Sequence, residues 1–279
     1  MTRRVAITGS PVAHSRSPVI HRHWLAAHDI DGTYDRLEVA PETAADFYRD
    51  FAASGLVGCN VTVPNKEAAA ASCDELDDAA RAMGAVNTIW LDAEGRVMGA
   101  NTDGLGFLGN LDQIVPGWDG EVAHATVLGA GGAARAVIWA LLSRGVKTVA
   151  IVNRTRDKAS ALAERFGADS IAMGWDQLGE ILGKTDLLVN TTSLGMHGQP
   201  PLQIDLSPLS KTAIVNDIVY VPLETPLLAA ARARGNRVVD GLGMLLHQAV
   251  PGFERWFGVR PRVTEDLRAA LLADLGMSE

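Results

Sequence analysis

The feature that most constrains the fold is a glycine-rich turn between an apolar run and a helical segment. The apolar run Ala125-Thr126-Val127-Leu128 predicts a buried strand, and residues 136–142 after the turn have helical character. Between them, Gly129 to Ala134 follow the pattern G-x-G-x-x-A. Glycines here let backbone N–H groups approach a phosphate, and the helix dipole favours negative charge. The combination predicts a Rossmann-type domain that binds a dinucleotide, although glycine turns also close ordinary strand–helix connections.

A second predicted strand, 148–152, ends at a basic turn that indicates which dinucleotide binds. An NAD site requires an acid about 20 residues after the glycines, whereas an NADP site requires a cation. Asn153 takes the place of the acid, and Arg154, Arg156 and Lys158 crowd the turn. A guanidinium pairs with a 2′-phosphate through two hydrogen bonds, and a lysine acts as a point charge. We therefore predict NADP; the alternative is a solvated basic turn.

Composition narrows the functional classes. The chain has 279 residues, which predicts two domains, and its 47% hydrophobic and 21% charged residues are typical of a globular protein. A net charge of -8 argues against a nucleic-acid partner. Cys59 and Cys73 form no C-x-x-C pair, and the histidines lack H-x-x-x-H spacing, so we expect no metal. No apolar run approaches the about 18 residues of a membrane span, and we expect a cytoplasmic protein.

Strands and helices alternate along the whole chain, which indicates an α/β fold of two domains. The first would cover residues 1–103 and be completed by C-terminal helices over 244–279. The second, 104–243, would be the Rossmann-type domain, a doubly wound parallel sheet. We predict helices over 41–53 and 75–83 and a long helical stretch over 244–257. Segments 84–91 and 97–104 frame a turn and predict a hairpin, which would bring Asn87 and Asp103 together at its base.

Two places in the first domain carry candidate chemistry. Ser17 followed by Pro18 predicts a helix N-terminus with Ser17 as its N-cap, so Ser15 and Ser17 could hold a small anion or simply cap the helix. Lys66 lies at a predicted helix start. The helix dipole disfavours a cation at that end, so the presence of a lysine there needs an explanation. Asp103 ends a predicted strand ahead of Gly104. Either charged residue could be catalytic or a solvated surface group.

Segments spread from end to end of the chain resemble those of the shikimate dehydrogenase family. The matching segments, in the family's order, are Gly9-Ser10-Pro11 with His14-Ser15-Arg16-Ser17-Pro18, Asn60-Val61-Thr62-Val63-Pro64-Asn65-Lys66, Gly84-Ala85-Val86-Asn87-Thr88, Asn101-Thr102-Asp103-Gly104, the glycine turn 129–134, Asn153-Arg154-Thr155, Asp217-Ile218-Val219-Tyr220, and Asp240-Gly241-Leu242-Gly243-Met244-Leu245 with Gln248. The resemblance implies reversible NADPH-dependent reduction of 3-dehydroshikimate to shikimate, in the biosynthesis of chorismate and the aromatic amino acids. It also implies that the first domain binds the substrate.

The resemblance further implies roles for individual residues. Lys66 and Asp103 would form the catalytic pair. The substrate carboxylate would be held by Ser15, Ser17 and Tyr220, and the ring hydroxyls by Asn60, Thr62, Asn87 and Gln248. The cofactor pyrophosphate would lie on Gly129, Ala130, Gly131, Gly132 and Ala133, its adenosine phosphate on Asn153, Arg154, Thr155 and Lys158, and its nicotinamide end on Thr191, Ser193, Ile218, Gly241 and Met244.

Three other functions are compatible with parts of this pattern. A quinate/shikimate dehydrogenase that uses NAD is disfavoured by the basic turn after Asn153. A non-catalytic, metabolite-sensing regulatory homologue is disfavoured because Lys66 and Asp103 are both present. A folate-linked dehydrogenase would leave the serine loop unexplained. We expect a small-molecule substrate as partner, neither nucleic acid nor membrane, and a monomer or homodimer.

Overall fold

A computed structural model describes residues 2–277 and divides the chain into two compact units. The first unit comprises the residues up to Asp103 together with those from Leu246 onward, and the second unit is Gly104–Leu245. The second boundary thus lies after Leu245, whereas the sequence predicts it after Gly243. The difference arises because Met244 packs against the core of the second unit.

Twelve strands are present in the described residues. They are β1 Arg3–Gly9, β2 Gly32–Glu38, β3 Gly58–Val61, β4 Glu75–Leu76, β5 Thr88–Leu91, β6 Val97–Ala100, β7 His124–Leu128, β8 Thr148–Asn153, β9 Ser170–Gly174, β10 Leu187–Asn190, β11 Ile214–Asp217 and β12 Arg237–Val239.

Thirteen α-helices are present in the same range. They are α1 Ser17–Ala27, α2 Pro41–Arg49, α3 Lys66–Ser72, α4 Asp78–Met83, α5 Asp103–Ile114, α6 Trp118–Glu121, α7 Gly132–Ser143, α8 Arg156–Phe166, α9 Leu178–Leu182, α10 Pro226–Ala233, α11 Leu242–His247, α12 Val250–Phe257 and α13 Glu265–Asp274.

The first unit is built on a mixed sheet with the order β2-β1-β3-β5-β6-β4. β1 runs parallel to β2 and β3, whereas β5 is antiparallel to both β3 and β6. The predicted hairpin is therefore confirmed as β5 and β6. Helix α12 closes this sheet: Trp256 Nε1 donates to the carbonyl of Ile89 at 2.9 Å, and its ring occupies the space left by the missing side chain of Gly58.

The second unit is built on a parallel sheet with the order β12-β11-β10-β7-β8-β9. This is the strand order of a doubly wound dinucleotide-binding fold, whose ligands bind where the order reverses, at the carboxyl ends of the strands. Here the reversal lies between β7 and β10. The strands read as continuous apolar runs because they are buried on both faces; Val149, Ile151 and Val152 of β8 are fully buried. The α/β, two-domain prediction is confirmed.

Several predicted helix limits are wrong. The helix predicted over 75–83 begins only at Asp78, because the Asp77 carboxylate accepts the Ala80 N–H at 2.7 Å as an N-cap. Residues 75 and 76 instead pair with β6. The helix predicted over 41–53 ends at Arg49 and continues as a short 3₁₀ turn, Phe51–Ser54.

The predicted stretch 244–257 is two helices, α11 and α12, and α12 carries Pro251 in its first turn. Proline is favoured in the first turn because it donates no backbone hydrogen bond there, so a new helix starts where a continuous one is predicted. Ser17 is the first residue of α1 and does not cap it; Arg16 holds the N-cap position without a side-chain hydrogen bond.

Between Thr2 and Met277, no helix combines the length and the apolar character needed to cross a bilayer. The same part of the chain contains no group of three or more His, Cys, Asp or Glu side chains arranged for a metal ion.

Candidate active site

An ion pair between Lys66 and Asp103 lies at the centre of the candidate site in the first unit. Lys66 begins α3 and Asp103 begins α5, and Lys66 Nζ lies 2.6 Å from Asp103 Oδ2. The two side chains keep 28% and 23% of their surface exposed, so the pair is partly open to its surroundings. The carboxylate offsets the unfavourable interaction of an ammonium group with a helix N-terminus.

Asn87 completes this cluster from the end of the hairpin. Its Nδ2 donates to Asp103 Oδ1 at 2.7 Å, which confirms the prediction that the hairpin brings the two residues together. Its Oδ1 accepts the backbone N–H of Thr102 at 2.9 Å. The Thr102 hydroxyl donates in turn to the carbonyl of Gln248 at 2.8 Å, so the chain around Gln248 is attached to the same cluster.

Asn60, which the resemblance predicts as a substrate ligand, is hydrogen-bonded to three internal partners. Its Oδ1 accepts the Tyr34 hydroxyl at 2.6 Å. Its Nδ2 donates to the Asn87 carbonyl at 3.0 Å and to the Thr88 hydroxyl at 3.2 Å. The residue is only 3% exposed. These bonds fix the orientation of the Asn60 amide next to Asn87, which in turn donates to Asp103.

The serine loop before α1 presents two hydroxyls next to each other. Ser15 Oγ lies 3.3 Å from Ser17 Oγ and accepts the Ser17 backbone N–H at 3.3 Å. The Ser15 carbonyl accepts two hydrogen bonds from the Arg36 guanidinium, at 2.6 and 3.2 Å, which fix the loop. Thr62 is half-buried and lies just after β3. Its backbone N–H donates to the Thr8 carbonyl of β1 at 2.8 Å, which extends the hydrogen bonding between these two strands by one residue.

The glycine turn of the second unit has the form of a phosphate cradle. Gly129 follows β7 with φ +108°, and a side chain there would meet Thr191 Oγ1. Gly131 and Gly132 face open space: an added Cβ would find no atom within 4 Å. α7 begins at Gly132 without a side-chain cap, so its first N–H groups remain available to an anion. The turn therefore fits a cofactor pyrophosphate, which an added methyl group would obstruct.

The basic turn after β8 is exposed. Asn153 Nδ2 donates to the Thr155 carbonyl at 2.8 Å and shapes the turn. Arg154 and Lys158 both lie on the protein surface. Their charges are therefore accessible to a phosphate, and Asn153 contributes no negative charge that would repel one.

The loops after β10 and β11 carry most of the residues predicted for the nicotinamide end, and two buried side chains connect these loops. Asn190 Nδ2 donates to Asp217 Oδ1 at 2.9 Å, and Asn190 Oδ1 accepts from the N–H and hydroxyl of Thr192. Burial raises the pKa of Asp217, and hydrogen bonds from Thr225, Val219 and Asn190 oppose that rise.

The remaining predicted cofactor and substrate residues of the second unit lie in or beside these loops. The close approach of Gly241 to the Ile218 carbonyl leaves no space for a side chain on Gly241. Thr191 Oγ1 donates to the Leu128 carbonyl at 2.7 Å, at the reversal of strand order. Ser193 is exposed, Tyr220 is half-buried in the segment after β11, and Met244 lies on α11.

Sequence reasoning misses the residues that join these groups. Tyr34 is not singled out, and Thr88 and Thr102 appear only as parts of predicted strands or motifs. Hydrogen bonds of all three residues join elements that are distant in sequence. The one available signal is position: Thr88 and Thr102 each adjoin a predicted site residue.

A doubly wound sheet with an open glycine turn, in a chain that also holds a lysine–carboxylate pair, defines the class of dinucleotide-dependent oxidoreductases. Comparison with known proteins identifies the family. Three family descriptions match: the shikimate dehydrogenase substrate binding domain over residues 7–89, shikimate / quinate 5-dehydrogenase over 112–197, and the shikimate 5′-dehydrogenase C-terminal domain over 241–272. The chain belongs to the shikimate dehydrogenase family.

Individual relatives agree with this assignment. A shikimate dehydrogenase (NADP(+)) of Chelativorans sp. is 58% identical over 272 residues, which cover 98% of this chain and 96% of that protein. The crystal structure of the Thermus thermophilus shikimate 5-dehydrogenase in complex with NADP(H) and shikimate has a TM-score of 0.83 at 35% identity, with 97% and 99% of the two chains covered. The quinate dehydrogenase of Corynebacterium glutamicum in complex with NAD has a TM-score of 0.89 at 30% identity, with 98% and 99% covered.

Proposed function

We propose that this protein is an NADP-dependent shikimate dehydrogenase, which interconverts 3-dehydroshikimate and shikimate in the biosynthesis of chorismate and aromatic amino acids. The observation that carries the proposal is the partly exposed Lys66–Asp103 pair, held by Asn87 in the first unit. The open glycine turn and the basic turn of the second unit support the cofactor assignment. The names of the relatives support the substrate.

The cofactor would be held mainly by backbone groups and by surface cations of the second unit. Its pyrophosphate would lie on the N–H groups of residues 129–133, at the start of α7. Its 2′-phosphate would accept hydrogen bonds from Arg154, with Lys158 as a second positive charge and with Asn153 and Thr155 alongside. Its nicotinamide end would contact Thr191, Ser193, Ile218, Gly241 and Met244.

The substrate would be held mainly by the first unit. Ser15 and Ser17 would donate their hydroxyls to its carboxylate, and the resemblance gives Tyr220 the same role. Asn60, Thr62, Asn87 and Gln248 would hydrogen-bond the ring hydroxyls. The internal hydrogen bonds of Asn60 to Tyr34, Thr88 and the Asn87 carbonyl would fix its amide for that role, and Asn60 Oδ1 can accept a further hydrogen bond.

Lys66 and Asp103 would manage the proton of the reaction. When bound, NADPH supplies the hydride for the carbonyl carbon of the ring. The Lys66 ammonium group donates a proton to the oxygen that develops negative charge there, and in the oxidation of shikimate the same amine accepts it back. Asp103 orients the ammonium group through its 2.6 Å contact and can accept a hydrogen bond from the neighbouring substrate hydroxyl. General acid–base catalysis of this kind contributes about 10²- to 10⁴-fold to the rate.

The decisive experiment follows NADPH absorbance after addition of 3-dehydroshikimate to the purified full-length protein. We expect NADPH to be consumed, and NADP⁺ to be reduced when shikimate is added instead. Quinate and shikimate are compared with NAD⁺ and NADP⁺ in parallel. Preference for quinate with NAD⁺ would favour a quinate dehydrogenase, and absence of turnover with every pair would favour a metabolite-sensing homologue. We further propose a cytoplasmic monomer or homodimer with no nucleic-acid or membrane partner.

A further inference from the structure

A continuous series of side-chain hydrogen bonds leads from the interior of the first unit to the Lys66–Asp103 pair. We call it the positioning network; in order from the interior, its members are Tyr34, Asn60, Thr88, Asn87, Asp103 and Lys66. The Tyr34 hydroxyl donates to Asn60 at 2.6 Å, and Asn60 donates to the Thr88 hydroxyl at 3.2 Å. Thr88 donates to Asn87 Oδ1 at 2.9 Å, and Asn87 donates to Asp103 at 2.7 Å.

The donors in this network all run in one direction, towards the carboxylate. Asp103 accepts from Asn87 on one oxygen and from Lys66 on the other. Each of the two amides must therefore keep one orientation. The oxygen of Asn60 faces Tyr34 and its nitrogen faces Thr88. The oxygen of Asn87 faces Thr88 and its nitrogen faces Asp103. The orientation of Asn60 is fixed at both ends, by the phenol on its oxygen and by the Asn87 carbonyl on its nitrogen.

Tyr34 is suited to be the first donor because it cannot lose its proton or change its place. Its side chain is fully buried, and burial raises the pKa of its phenol well above the ordinary value, against the opposing effect of the Ser17 hydroxyl. Its ring stacks on the buried imidazole of His21 at 4.0 Å between centroids, with the two planes 7° apart. The phenol thus remains a fixed donor over the whole pH range of an assay.

We propose that Tyr34 is a positioning residue, which acts through Asn60 and the later members of the network on the reacting pair. The inference rests on the proposed function and adds to it a residue that touches neither substrate nor cofactor. Removal of the phenol leaves Asn60 Oδ1 buried without its donor, and the amide must shift to find another. That shift releases Thr88 and then Asn87, whose hydrogen bond to Asp103 loses its fixed geometry.

Tyr34→Phe tests this inference, with Tyr48→Phe as a matched control. Tyr48 is also fully buried, and its phenol bonds the Thr8 hydroxyl at 2.9 Å, which in turn donates to the backbone carbonyl of Asn60 at 2.9 Å. Both substitutions remove one buried phenol oxygen beside β3. Only Tyr34→Phe affects the Asn60 side chain, because the backbone of Asn60 is held by the sheet.

We expect Tyr34→Phe to lower kcat for shikimate oxidation about 10- to 100-fold, because small displacements of reacting groups have effects of this size. The KM for NADP⁺ should stay unchanged, since the glycine turn belongs to the other unit. Tyr48→Phe should change kcat less than about twofold, a difference of under about 0.5 kcal/mol in activation free energy. Thr88→Val interrupts the network at a later member and should reproduce the loss of kcat; thermal unfolding of all three variants checks that they fold.

A second measurement separates this inference from the proposed function. The side-chain amide signal of Asn87 is assigned in a ¹⁵N–¹H spectrum by its absence in Asn87→Ala. We expect it to shift in Tyr34→Phe and to stay in place in Tyr48→Phe, whether or not the protein turns over shikimate. An inactive wild type would overturn the proposed function. An active wild type whose Tyr34→Phe variant matches Tyr48→Phe in both kcat and spectrum would overturn the positioning role.

Discussion

The two units prepare their sites in opposite ways. In the first unit, buried side chains hydrogen-bond one another and hold Lys66 and Asp103 in contact. In the second unit, the glycine turn presents backbone N–H groups, and open space surrounds Gly131 and Gly132. The difference matches what each site is proposed to recognise. A proton must be placed at one atom, which requires fixed side chains, whereas a pyrophosphate is a diffuse anion that several N–H groups can share.

The largest effect should come from Lys66, the side chain proposed to carry the proton. Lys66→Ala should lower kcat about 10²- to 10⁴-fold with little change in the KM for shikimate, because general acid–base catalysis is lost while binding groups remain. Steady-state kinetics with NADP⁺ measures both constants. Lys184→Ala, at an exposed lysine of the second unit, is the control and should behave as wild type. A normal kcat in Lys66→Ala would remove this residue from the proton step.

The next prediction tests whether the second unit binds its cofactor through a charged side chain as well as through backbone N–H groups. Arg154→Gln should raise the KM for NADPH about 10- to 100-fold, the equivalent of one charged hydrogen bond of about 1.5–3 kcal/mol. The KM for NADH should stay the same, because NADH has no 2′-phosphate. Arg165→Gln, at an exposed arginine in the last turn of α8, is the control. Equal changes for both cofactors would contradict the assignment of Arg154 to the 2′-phosphate.

The next prediction concerns the stability of the first unit, whose unfolding free energy should depend on pH because His21 is buried. Burial lowers the pKa of His21 to about 3, whereas the unfolded chain titrates near 6.5. Between these values the unfolded state binds the proton and the folded state does not, so stability falls as pH falls. From pH 7 to pH 5 this linkage removes about 2 kcal/mol of unfolding free energy.

Urea denaturation at both pH values measures that loss. In His21→Phe, which keeps an aromatic ring against Tyr34, the loss between pH 7 and pH 5 should be smaller than in wild type by this amount. His28→Gln, at an exposed histidine two turns later on the same segment, should retain the wild-type loss. An identical pH dependence in wild type and His21→Phe would show that other groups cause the destabilisation.

The smallest effect concerns the glycine turn itself. In Gly131→Ala the new methyl group meets no protein atom, so the melting temperature should not change. The same methyl group lies where the pyrophosphate would approach, and we expect the KM for NADPH to rise about tenfold, or about 1.4 kcal/mol. Gly179→Ala, at a helical glycine whose surroundings are equally open, should leave the KM unchanged. A lower melting temperature with a normal KM would mean that the turn serves the fold rather than the cofactor.

The sequence predicts most of the second unit because its signals are local. The apolar strands, the turn at Gly129 and the basic turn after Asn153 each lie within a few neighbouring residues, and the predicted strands agree with β7 and β8. The hairpin is predicted equally well, because its turn lies between two adjacent strands. The position of Asn87 next to Asp103 follows from the hairpin alone, so it can be predicted without the rest of the fold.

What the sequence does not predict depends on contacts between distant residues. Residues 75–76 form a strand because β6 lies beside them, and the Asp77 cap then delays the helix. Tyr34 looks like one more apolar position of β2, and only the pairing of β2, β1 and β3 brings its phenol to Asn60. The resemblance assigns Asn60 to the substrate, and a motif does not reveal the internal hydrogen bonds that its amide makes as well.

The placement of α12 has a consequence for biosynthesis. Trp256 packs on Gly58 and bonds Ile89, so the sheet of the first unit is completed by residues near the end of the chain. During translation, the whole inserted unit, Gly104–Leu245, is synthesised before that tryptophan. The sheet of the first unit can therefore be completed only after the insert has been made, and the unit that holds Lys66 and Asp103 is the last to be finished.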